Sequence, residues 1–113
     1  MSKAELDKKI EKVEAEWARL VPAVERGEVE QIVAATEVLT RLDKLLGPEE
    51  PEAGRIERWR VLQVARYEML IRGLQTDMES DDTMVVVKAT DALIAVQTRI
   101  DKLYGLEAKD PHT

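Results

Sequence analysis

Apolar and polar residues alternate with a helical period along most of this chain. Leu6, Ile10, Val13, Trp17, Leu20 and Val24 recur at spacings of four and three. That spacing puts them on one face of a helix, as a coiled-coil-like seam, with Lys and Glu on the opposite face. Ser2 and Glu5 have the S-x-x-E spacing of a capping box at its start. Pro22 falls inside the pattern and predicts a kink or an early end near Val21, because proline lacks a donor and crowds the preceding turn. Gly27 suits the left-handed position that closes a helix.

A second stripe, Ile32, Ala35, Leu39, Leu42 and Leu46, predicts a helix over about 28–46, ended by Gly47 and Pro48. A third, Ile56, Trp59, Val64, Tyr67, Leu70, Ile71 and Leu74, predicts a helix from about 52–55 to Thr76, weakened locally by Gly73. The polar run Asp77–Asp82 reads as a turn whose last aspartates cap the next helix. Val86, Ala89, Leu93, Val96, Ile100 and Leu103 mark that fourth helix over about 82–104, closed by Gly105.

The second and fourth helices end on one phrase. Thr40, Arg41, Asp43, Lys44, Leu45 and Gly47 recur as Thr98, Arg99, Asp101, Lys102, Leu103 and Gly105, 58 residues later. The Leu and Ile positions face a core, the Gly ends a helix, and Lys44 and Lys102 sit where a cation favours a helix C-terminus. The phrase therefore reads as duplicated architecture. The expected fold is all-α: four main helices forming two tandem hairpins in a helical bundle. Residues 1–47 form the N-terminal hairpin, 48–54 a Pro/Glu linker, 55–105 the C-terminal hairpin and 106–113 a frayed tail.

Composition narrows the function classes. The net charge of −6 opposes general binding to nucleic acid or to an anionic membrane surface. No apolar run approaches the ~20 residues that span a bilayer, and the N-terminus lacks a signal-peptide apolar segment. With no Cys there is no disulfide framework or thiolate chemistry. A cytoplasmic location is expected.

Catalytic motifs are missing from the sequence. The run from Asp77 has the acidic alternation of a calcium loop, but that loop needs Gly at its sixth position and Glu at its twelfth. Those positions hold Asp82 and Lys88. His112, the only histidine, is penultimate and has no orienting partner in sequence. No enzyme activity, metal or cofactor is expected.

One anomaly is basic. Residues 55–76 carry Arg55, Arg58, Arg60, Arg66 and Arg72 against Glu57 and Glu68, a local charge of +3 in a chain of −6. These arginines complement acidic helices within the bundle, or they contact an acidic partner or phosphate. The six-residue seam of the first helix is the expected self-association surface, most simply in a dimer.

The residues Val85–Leu93, followed by Arg99, Lys102, Leu103, Gly105, Leu106, Glu107 and Ala108, resemble the C-terminal helical region of small proteins of actinobacterial phages and prophages. Many of these are terminase small subunits or other packaging-associated proteins. The resemblance covers mainly residues 59–111 and, more faintly, 17–51. It implies a phage-encoded, non-enzymatic protein in the host cytoplasm, acting by oligomerisation or by docking to a larger phage protein. Terminase small subunits usually carry an N-terminal DNA-binding helix-turn-helix, and residues 1–46 read instead as an acidic helix and a hairpin helix. Two other readings stay open. One is an inhibitor or adaptor that binds a host protein; the other is a nucleic-acid-linked module using the arginines.

Overall fold

The computed structural model describes residues 2–46 and 53–104, with the backbone alone for Leu46 and residues 53–58. Four helices account for nearly all of it: α1 Lys3–Glu25, α2 Val29–Leu46, α3 Ala53–Met78 and α4 Thr83–Tyr104. No strand occurs among the described residues. The protein is an all-α helical bundle.

Each helix end has a local cause. Ser2 caps α1, its hydroxyl accepting the Glu5 N–H at 3.2 Å. At the other end Gly27 takes φ 76°. Its N–H donates to the Val24 carbonyl at 2.9 Å, and the Glu28 N–H donates to Ala23 at 3.1 Å. This pair of bonds is a Schellman turn, which satisfies two carbonyls that the helix leaves open. Asp82 caps α4, accepting from the Met84 N–H at 2.9 Å.

Two boundaries differ from expectation. α1 does not stop near Val21 but runs through Pro22 to Glu25. Ala18, whose carbonyl loses its usual donor, and Pro22 are both exposed, so the missing bond falls on the solvent side, three residues from the helix end. α3 begins at Ala53, within the expected 52–55, so that Ala53 and Gly54 of the expected linker are helix; it reaches Met78 rather than Thr76, so Asp77 and Met78 are helix rather than turn. The rest of the Pro/Glu linker and the 106–113 tail lie outside the described residues.

The packing order is a zigzag in two layers. α1 packs on α2, α2 on α3 and α3 on α4; α1 also touches α3 and α2 touches α4, whereas α1 and α4 do not meet. Consecutive hairpins thus stack side by side, as in helical repeat proteins, instead of closing into a ring. The core runs between the layers: Val13, Trp17 and Val24 from α1, Ile32, Leu39 and Leu42 from α2, Tyr67, Leu70 and Leu74 from α3, Ala89, Ala92 and Val96 from α4.

Gly73 has its explanation in this packing. A Cβ at this position would lie 2.6 Å from the Val24 carbonyl oxygen and 3.0 Å from Ile32 Cδ1. The end of α1 rests directly on the backbone of α3, and only glycine permits that approach.

Candidate functional site

Two features of the molecule stand out as candidates: a polar relay inside it and an apolar edge outside it.

The relay begins at Asp43, which is 8% exposed. Its carboxylate accepts from the Tyr67 hydroxyl at 2.7 Å, from Gln63 Nε2 at 2.7 Å and from the Arg99 guanidinium at 3.1 Å. Gln63 Nε2 also donates to the Leu39 carbonyl at 3.1 Å, while its Oε1 accepts from Arg66 at 3.0 Å. Arg66 in turn grips Glu14 with two bonds of 2.6 and 2.9 Å. The guanidinium of Arg66 lies 5.6 Å from the Trp17 ring centroid and 6.0 Å from that of Trp59, within the range of a cation–π attraction. One hydrogen-bonded path therefore joins Glu14 on α1, Arg66, Gln63 and Tyr67 on α3, Asp43 on α2 and Arg99 on α4.

A buried carboxylate that takes three donors is satisfied, and satisfied buried networks fix how elements sit against one another. Burial, reinforced by the charge and the hydrogen bond of Asp43, pushes the Tyr67 hydroxyl far above its ordinary pKa. It stays protonated and remains a donor at any physiological pH. Arg99 Nε is buried without a partner. The relay's polar atoms face one another, so it is suited to holding helices in register.

The two copies of the repeated phrase have different roles. Thr40 and Thr98 both bond back one turn, to Thr36 at 2.8 Å and to Ile94 at 2.9 Å. The arginines and aspartates diverge. Arg41 pairs at the surface with Glu16 of α1 at 2.5 Å, while Arg99 reaches into the interior to Asp43. Glu16 is held below its usual pKa first by the Arg41 hydrogen bond. Asp101, the counterpart of Asp43, is only partly buried.

The residues proposed from sequence fall as follows. Of the α1 seam, Val13, Trp17 and Val24 are buried in the core of this one chain, and Leu6, Ile10 and Leu20 are half-buried. α2 and α3 pack on that face, so Val13, Trp17 and Val24 serve the core of this chain. Of the arginines, Arg66 is committed to Glu14 and Gln63, as complementarity across helices demands, and is not available to a phosphate or an acidic partner. Arg60 is engaged within the chain as well, and Arg72 is exposed. The side chains of Arg55 and Arg58, and all of His112, lie outside the described residues. Among the described residues no group of three His, Cys, Asp or Glu is placed to hold a metal ion, and no helix is long and apolar enough to cross a membrane.

The apolar edge belongs to the second hairpin. Seven large hydrophobic residues are exposed among the described residues, and six of them are on α3 or α4: Val61, Leu62, Met84, Val87, Ile94 and Tyr104. Met84, Val87 and Ile94 are 62%, 47% and 59% exposed. Their spacing of three and seven puts them on one face of α4. Periodicity alone did not reveal this edge, because Val87 and Ile94 lie outside the stripe that builds the core.

At the turn end of the molecule a shallow open cleft is lined by Glu28, Glu30, Gln31, Asp77, Val85 and Lys88. Asp77 Oδ2 is buried there without a partner, and desolvation raises its pKa. No protein-family model, curated protein or solved structure matches this chain.

Proposed function

We propose that this chain is a non-enzymatic assembly module, phage-encoded and associated with the DNA-packaging machinery, acting by oligomerisation or by docking to a larger phage protein. The observation that carries the assembly role is the exposed face of Met84, Val87 and Ile94 on α4. Large apolar side chains gathered on one exposed face mark an interaction surface more often than chance exposure does. The polar relay supports the same reading, since Asp43, Tyr67, Arg99 and Arg66 are occupied in holding the helices together. The packaging context comes from the resemblance of residues 59–111 to terminase small subunits.

Calorimetric titration against the large terminase subunit of the same phage tests it. The native chain should bind, and Ile94→Glu should weaken binding by at least ~30-fold, the scale of a buried interface anchor. Ile94 is exposed, so the variant should keep its helix content by circular dichroism. Absence of binding to the large subunit, together with duplex-DNA affinity that falls steeply with salt, would replace this reading with nucleic-acid binding.

A further inference from the structure

The stacking order shows what this sequence does with a helix edge. α2 packs against three helices, α1, α3 and α4, whereas α4 packs against two, α2 and α3. Thr36 and Asp43 of α2 are buried. The 58-residue offset of the repeat puts Ile94 and Asp101 at the corresponding places on α4. There Ile94 is exposed and Asp101 only half-buried, since no further hairpin follows among the described residues.

The opposite end of the stack is different. The outward face of α1 carries Lys8, Glu11, Lys12 and Arg19, all exposed. A charged face of this kind cannot usefully bury the apolar face of α4. Head-to-tail stacking of copies is therefore disfavoured, and the surface that best matches the α4 edge is another α4 edge.

We infer that a second copy of this chain covers the α4 edge, the two α4 helices running antiparallel about a twofold axis. The inference rests on the assembly reading above and names an occupant for the surface on which that reading depends. One register satisfies both the apolar and the charged residues. Setting Val87 against the partner's Ile94, and Ile94 against the partner's Val87, places the axis level with Thr90 and Asp91. Lys88 then comes within about half a turn of the partner's Asp91. Each Asp91 near the axis thereby gains a cation from the other copy, which offsets the repulsion between the two carboxylates. Lys88 is available for this, because its contact with Glu30 is 3.8 Å long and exposed at both ends.

Sedimentation equilibrium over ~1–100 μM tests the pairing. The native chain should dimerise in that range. Ile94→Glu should weaken the dimer by at least ~30-fold. Lys88→Glu and Asp91→Lys should each weaken it by about 2–5-fold, the scale of an exposed ion pair, and the double variant should recover the native constant. All of these positions are at the surface, so circular dichroism should report the same helix content throughout. A native chain that remains monomeric at ~100 μM, a dimer indifferent to Ile94→Glu, or a double variant weaker than both singles would overturn the inference. The two readings separate cleanly. A monomer whose binding to the large terminase subunit still depends on Ile94 overturns the pairing and keeps the assembly role. A dimer lost with Ile94→Glu, in a chain that ignores the large subunit, keeps the pairing and removes the packaging role.

Discussion

The two hairpins share a closing phrase, yet they are packed to different depths. In α2 the residues Ile32, Ala35, Leu39 and Leu42 are wholly buried, and Asp43 is buried with them. In α4 only Ala89 and Val96 reach that level, while Leu93, Ile100 and Leu103 are partly covered. Sequence identity at the repeated positions therefore does not carry identical environments. What differs is the number of neighbours. α2 lies inside the stack and α4 lies at its end. The same Asp is an internal anchor in one setting and a half-exposed side chain in the other.

The sharpest way to break the comparison is to remove both aspartates in turn. Asp43→Ala should cost about 3–5 kcal/mol, because it strands the Arg99 charge and leaves Tyr67 and Gln63 without their acceptor. Asp101→Ala should stay within about 0.5 kcal/mol in the monomer. Urea denaturation of both variants measures the contrast, and equal losses would mean that the two copies are equivalent after all.

Gly73→Ala comes next. In an exposed helix this change stabilises by up to ~1 kcal/mol. Here the new methyl group would meet the Val24 carbonyl at 2.6 Å, so the sign should reverse and the variant should lose about 1–3 kcal/mol. A gain in stability would show that the hairpins can move apart at this point without cost, and that the close approach is not what joins them.

The smallest effect concerns the two turn ends. The first hairpin closes with every bond of a Schellman turn in place, whereas the second brings Asp77 with a buried, unpartnered oxygen. Desolvation raises the Asp77 pKa in the folded chain. The folded state therefore holds this proton more tightly than the unfolded state does. Its contribution to stability is complete below the unfolded value of ~3.9 and is lost as pH rises through the folded pKa. Asp77→Asn should melt at or slightly above the native chain at pH 7, with the difference closing as pH falls toward ~4. A variant that melts lower at pH 7 would reveal a stabilising role for the carboxylate.

Most helices were legible in the chain because burial and helical period coincide. The stripe from Ile32 to Leu42 is an example, and Gly27 announced the end of α1 through its tolerance of positive φ. Pro22 misled because the rule against proline in helices assumes a buried or central position, whereas here both the ring and the orphaned carbonyl of Ala18 face solvent. The α1 seam was legible as an apolar face, but periodicity does not say which helix will cover it; in this chain α2 and α3 pack there. The polar relay was illegible as a unit, since Glu14, Asp43, Gln63 and Arg99 are scattered over 85 residues. Gln63, a polar residue within the apolar face of α3, was the one local sign that a partner had to exist. The exposed edge was hidden by the same logic, because Val87 and Ile94 flank a stripe that is itself sufficient to make a helix amphipathic.

That α1 and α4 never touch has a consequence for how such a chain can change in length. In a ring of helices every element closes on another, and inserting a hairpin would require the circle to be broken and sealed again. In a row, the terminal helix can receive a new neighbour while every earlier contact is kept. Copying a hairpin within the gene and appending it to the row would thus yield a foldable product at once. The phrase that closes both α2 and α4 is the trace such a step would leave.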